Sequence, residues 1–199
     1  MFSFNELNCD AITAMQEPTH ILTGVIIQKS FGGIRPRDLA LGLTATVAFL
    51  SHGFLDELAR ITFHPADPDF HSPFWVGYHA AVLMTSILFL FLWWKKYKWG
   101  IAFAAVPDVD WIFIHGQGIF HIQIPFYRQP HLHDLLHLIY HRIPPFSWLT
   151  SIVNRLPNAR HNPWACLWEV LLVAVLLLTL RLMTMAERPS VRPAKLQVT

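Results

Sequence analysis

The chain has 199 residues, of which 53% are hydrophobic and 14% charged, and its mean hydropathy is +0.37. Soluble domains carry about 25% charged residues, so this composition, with its long apolar runs, excludes an ordinary soluble domain and reads as one integral membrane unit. The formal charge of +2 gives no reason to invoke nucleic acid, and two cysteines, Cys9 and Cys166, fit neither a disulfide framework nor a thiolate metal site.

Residues 1–18 mix polar and apolar side chains, which suits an interfacial helix. They contain Glu6, Asp10 and Glu17 and no basic start, so no cleavable signal peptide is expected. Pro18-Thr19-His20 opens an apolar segment at 21–27, bounded by Gln28-Lys29-Ser30 and Gly32-Gly33. It is short against the roughly 20 residues that a crossing needs. The second apolar segment, 39–54, continues into Asp56, Glu57 and Arg60. Residues 64–73 are rich in Pro, Asp and His and read as a loop. Residues 76–94 form the clearest span, and Trp93 to Trp99, with three lysines and a tyrosine between, marks a membrane interface.

The fourth segment, 99–115, holds Val106-Pro107-Asp108-Val109-Asp110-Trp111. Carboxylates at membrane depth are expensive and are functional candidates by default. Pro107 tends to break the helix, and a broken helix in a bilayer is tolerated only where protein or a water-filled cavity covers the freed backbone. A buried polar pocket is therefore expected here. The bland alternative is that Asp108 simply caps a restarted helix. Residues 116–163 form a long polar, His-rich extramembrane loop, with a short helix at 134–140 ended by Pro144-Pro145. Residues 164–185 are the last span. The expected fold is all-α: a polytopic membrane bundle of about five transmembrane helices, with 1–186 as one domain and 187–199 as a basic, disordered tail.

If all five segments cross, ten basic residues fall on one side: Lys29, Arg35, Arg37, Lys95, Lys96, Lys98, Arg181, Arg188, Arg192 and Lys195. Five fall on the other: Arg60, Arg128, Arg142, Arg155 and Arg160. The positive-inside rule makes the first side cytoplasmic. That topology, counted from Lys and Arg alone, gathers His20, His52, Asp56, His79, Asp108 and Asp110 at the opposite face, beside the His-rich loop. His52 and Asp56 are spaced i,i+4, as are His133 and His137, so each pair shares a helix face. Imidazole with carboxylate suits zinc, with iron or manganese as alternatives. Metal ligation is expected from His20, His52, His79, Asp108 and Asp110, with Asp56 as ligand or general base. His133 and His137 would complete the shell, His137 acting as acid. No HExxH, GxSxG or Walker-type loop occurs.

Thr19-His20 leading into a segment with Gly24, the internal Pro-Asp-x-Asp at 107–110 and the His-containing apolar helices resemble the membrane-bound, metal-dependent hydrolase family. These are inner-membrane proteins related to a LexA-regulated bacterial protein, and the resemblance covers 19–137 in patches. It implies a bacterial inner-membrane hydrolase with a metal site that includes His20, Asp108 and Asp110. The family's His-Arg-Gly-x-Thr-His-Ser motif after the Pro-Asp-x-Asp has no counterpart. Here Ser51-His52-Gly53 precedes it and His133-x-x-x-His137 takes the later place. The expected activity is hydrolysis of a phosphoester or lipid-derived substrate received from the bilayer. A metal or proton transporter, or a structural metal-binding membrane protein, would use the same residues.

Overall fold

The computed structural model describes residues 17–65, 69–127 and 129–187, so most of the interfacial lead and nearly all of the basic tail lie outside it. The described residues fold into helices without strands: α1 (Glu17–Phe31), α2 (Arg37–Leu58), α3 (Pro73–Ala105), α4 (Val109–Phe120), α5 (His131–Arg142), α6 (Phe146–Val153) and α7 (Cys166–Ala186). Their ends follow local chemistry. Pro18 stands in the first turn of α1, where a missing N–H costs nothing, and Gly32-Gly33 follow its end. Ser72 caps α3 by accepting the Trp75 N–H at 3.3 Å, with Pro73 next.

α1 is the centre of the bundle. It packs on α2, α3 and α7, and Thr19, His20, Ile21, Leu22, Gly24 and Val25 are all buried. A helix buried on all sides shows little amphipathicity, which suits its apolar sequence. Ile21, Leu22 and Val25 form one cluster with Phe89, Tyr97 and Ile101 of α3 and Leu180 of α7. Gly24 of α1 lies against Gly100 of α3 so closely that a methyl on either would run into the other's carbonyl. Small residues that let helix backbones touch are a common device of membrane bundles.

A straight helix of the 33 residues of α3 would be about 50 Å long. Yet residues from both of its ends gather near the start of α1. Tyr78 lies near Glu169, which neighbours Thr19, while Asp108, just past the other end, faces Glu17. The helix therefore turns back on itself, and Tyr97 is where its backbone leaves helical geometry (φ −124°, ψ 29°). Gln28 of α1 covers the break. Its Oε1 accepts the Gly100 N–H at 2.7 Å, and its Nε2 donates to the Lys96 carbonyl at 3.4 Å. Backbone groups released by a broken membrane helix need such partners.

Among the described residues three stretches are long and apolar enough to cross a bilayer: Arg37–Ile61, Pro73–Gly118 and Pro163–Ala186. Large apolar side chains remain uncovered along them, such as Phe91 at 85% exposure and Val170 at 61%. Such surface is what a bilayer covers, which is consistent with a membrane protein. The second stretch is 46 residues, about twice a crossing, and Tyr97 divides it. α1, with 15 residues, reaches about 22 Å, below the roughly 30 Å hydrocarbon core. The sequence reading of 116–163 as a loop gives way to structure: α5 and α6 lie within it, and α5 is longer than the expected 134–140 helix. Both are amphipathic, so their polar faces made the stretch look unstructured.

Candidate metal centre

Four elements bring their polar side chains to one point. His20 comes from α1, His52 and Asp56 from α2, Asp108 from the 3-10 turn Val106–Asp108 that follows α3, and His133 from the first turn of α5. Pro107, buried at that turn, ends α3 and lets the chain restart as α4 with Asp108 at its N-cap position. The Asp108 carboxylate makes no capping hydrogen bond. Its Oδ1 instead lies 3.6 Å from His52 Nε2. The capping role weighed from sequence is thus not what this side chain does.

Four atoms converge: His52 Nε2, His133 Nε2, Asp56 Oδ2 and Asp108 Oδ1. His52 Nε2 lies 3.2 Å from Asp56, 3.4 Å from His133 and 3.6 Å from Asp108. His133 Nε2 lies 3.7 Å from Asp56 and 3.9 Å from Asp108. Ligands about 2.0–2.2 Å from a tetrahedral ion stand about 3.4 Å from one another, so these spacings are close to those of groups around one ion. On the far side of Asp56, its Oδ1 lies 3.6 Å from His20 Nε2, and His20 stacks on His52 with ring centroids 4.0 Å apart.

The hydrogen bonds behind the rings show which nitrogens face inward. His52 Nδ1 lies 2.7 Å from the Ala104 carbonyl, which only accepts, so Nδ1 carries a proton and Nε2 is the atom turned to the centre. His133 Nε2 receives the Trp111 indole N–H at 3.1 Å, and its Nδ1 faces Asp110 Oδ2 at 3.4 Å. The two Nε2 atoms stand 3.4 Å apart with two carboxylates beside them, an arrangement that could hold a metal ion. His20 is fully buried, and its ring nitrogens make no hydrogen bond apart from the 3.6 Å approach of Nε2 to Asp56, so the ring could serve as a further ligand.

Asp110 does different work from the role expected of it. It is fully buried, and its Oδ2 accepts the backbone N–H groups of Leu132 at 2.6 Å and His133 at 3.1 Å. α5 begins at Pro130 without a side-chain cap, so a carboxylate from α4 satisfies its first amides and meets the positive end of its dipole. The same oxygen orients the His133 ring, the carboxylate–histidine arrangement common behind metal sites. Asp110 thus supports a ligand, and Asp108 faces the centre.

Two other expected residues lie elsewhere. His79 hydrogen-bonds the Trp75 carbonyl through Nδ1 at 2.8 Å and stacks on the Trp75 ring. Among the described residues, neither of the groups that could hold a metal includes it. His137 is exposed on α5, against the His141 ring at 4.0 Å, and His141 bonds Glu57. One helical turn separates it from His133, enough to carry it past the centre. Two residues were not singled out from sequence. Trp111 is adjacent to Asp110, and Glu17, which faces Asp108, stands three residues before His20 and shares its helix face.

The mouth of the site is at Asp56, Asp108 and His133, whose side chains are 17%, 24% and 14% exposed, whereas His20, His52 and Asp110 are sealed. The donor set, two imidazoles and two carboxylates with a third imidazole behind, can hold a metal ion. No protein-family model, curated protein or solved structure matches the chain.

Proposed function

We propose that this protein is a membrane-embedded, metal-dependent hydrolase whose site opens at the non-cytoplasmic face and takes a phosphoester or lipid-derived substrate. The observation that carries this reading is the convergence of His52 Nε2 and His133 Nε2, 3.4 Å apart, beside the carboxylates of Asp56 and Asp108. The resemblance of the His20 and Pro107-Asp108-Val109-Asp110 segments to the membrane-bound metal-dependent hydrolases points the same way. Zinc suits a nitrogen and oxygen tetrahedron best, with manganese or iron as alternatives. In the topology that goes with this reading all five apolar segments cross, α1 as a short packed helix, and the chain sits in a bacterial inner membrane.

His52, His133, Asp56 and Asp108 would hold the ion. When bound, it supplies Lewis acidity toward a substrate oxygen and a water whose pKa falls to about 7, the nucleophile of hydrolysis. The chain's own groups do the rest. The Ala104 carbonyl and Asp110 fix the two rings. Asp56 has its second oxygen turned to His20, so a proton taken at Oδ1 can pass to the buried imidazole. The apolar walls exclude bulk water, and the exposed mouth admits a substrate headgroup from the membrane surface.

The test is metal content and turnover of the detergent-purified protein. Wild type should carry a stoichiometric transition metal, lose hydrolysis of a phosphomonoester, phospholipid or isoprenoid phosphate in mixed micelles on chelation, and regain it with zinc or manganese. Equal metal in wild type and in Asp56→Ala/Asp108→Ala would overturn the site. Metal bound without turnover of any of these substrates would move the reading to transport or structure.

A further inference from the structure

At the opposite end of the bundle from the His/Asp centre lies a cavity of about 650 Å³, within the usual range for ligand pockets. Three helices each contribute a cation to its wall: Lys29 from α1, Arg37 from α2 and Lys96 from α3. The Lys29 side chain is only 4% exposed, which is unusual for a lysine. Its partner is Glu187, a 59% exposed carboxylate just past the end of α7. The first turn of α2 also faces the cavity, and its N-cap, Pro36, offers no side chain to the free amides. Those amides and the helix dipole favour an anion. Trp99, on the rim, is 47% exposed, and Leu41 is 39% exposed. Charge at depth and apolar surface at the rim fit an anionic head with a hydrocarbon tail.

We infer that this cavity binds a phosphate-bearing group, held by Lys29, Arg37, Lys96 and the start of α2, in competition with the Glu187 carboxylate. Several arguments favour phosphate over a carboxylate ligand. Three cations from separate helices outnumber the two acids at the wall, Asp38 and Glu187, and a phosphate dianion offers more charge and more acceptor oxygens than the Glu187 carboxylate that pairs with Lys29. Basic pockets between membrane helices are a recognised setting for anionic lipid headgroups. The inference does not depend on the hydrolase reading, because no residue is shared with the metal centre.

The experiment uses the full chain in mild detergent. Native mass spectrometry would measure retention of phosphatidylglycerol against phosphatidylcholine added at equal mole fraction. Thermal unfolding would be followed with inorganic phosphate against chloride at equal ionic strength. Selective retention of phosphatidylglycerol with no effect of inorganic phosphate assigns a lipid headgroup. Stabilisation by inorganic phosphate assigns a water-soluble phosphate compound. In either case Arg37→Gln and Lys96→Gln should each weaken binding about fivefold, and Glu187→Gln, which removes the competing carboxylate, should strengthen it. Arg37 is exposed, so its variant keeps the test open if a Lys29 variant fails to fold. Absence of both effects, binding unchanged in Arg37→Gln/Lys96→Gln, or binding not raised in Glu187→Gln overturns the proposal.

Discussion

His52 and His133 reach the same point by different routes, and the difference sets what their neighbours are worth. His52 is held by a backbone carbonyl that no substitution of Ala104 removes. His133 depends on Asp110, which also holds the start of α5. Asp110→Asn keeps the volume but turns an acceptor into a mixed group facing two backbone donors. Metal affinity should fall about 10–100-fold, the usual cost of losing an outer-shell partner, while Asp108→Asn should abolish binding. A chelator-competition titration of the two variants separates these outcomes; equal loss in both would mean that Asp110 ligates directly. Trp111→Phe frees the His133 Nε2 from its indole donor. Affinity should then hold or rise, and a tenfold fall in the same titration would show that the indole is needed to orient the ring.

Between helices, glycines decide how close the site-bearing elements can come. Gly24 meets the Gly100 backbone, and backbone cannot yield as a side chain does. Gly24→Ala should cost at the upper end of the 1–3 kcal/mol typical of overpacking. Gly53 lies under the Tyr140 ring, where a new methyl would stand 2.8 Å from a ring carbon, and the Tyr140 hydroxyl is tied to the Leu50 carbonyl at 2.7 Å. Gly53→Ala should therefore push α5 outward, lowering metal affinity as well as stability. Gly33→Ala, with nothing within 4 Å, is the control and should be neutral within about 0.5 kcal/mol. Thermal unfolding in detergent checks all three.

The segment after α2 adds a pH dependence. Burial, with His79 and Arg160 nearby, lowers His64 from 6.5 to about 4. Its neutral form is the one the folded state keeps. Between these values the unfolded chain binds the extra proton, so stability rises with pH across the window. This contribution is complete above about pH 6.5 and is lost progressively as pH falls toward 4. The slope should shrink in His64→Gln; an unchanged slope would place the titration elsewhere.

At the scale of the molecule, polarity is divided between two ends of one short central helix. Glu17 and His20 at the start of α1 face the carboxylate and imidazole cluster, and Gln28 and Lys29 at its end face the basic cavity. In the proposed topology, read from the Lys/Arg excess, the second end is the cytoplasmic one. Cysteines introduced at Gln117 and at Lys96 should accordingly label from opposite sides of a sealed vesicle. Labelling from the same side would mean that the turn at Tyr97 does not separate two crossings and that the five-span topology is wrong.

The apolar runs and the polar cluster around Asp108 were legible in the sequence. Hydrophobic length and the cost of a buried carboxylate are properties of the residues themselves. The i,i+4 pair His52 and Asp56 was legible for the same reason, since helical spacing is local. Tertiary structure decided which of the remaining histidines join them. His79 and His133 both stood at the right membrane face, and only the path of α5, capped by Asp110, brings His133 in while Trp75 keeps His79 away. The roles of Asp108 and Asp110 were likewise beyond sequence, because two carboxylates two residues apart look alike until one finds free amides and the other finds imidazoles. Length and polarity are written along the chain; which side chains meet depends on helix packing between residues as distant as 52 and 133.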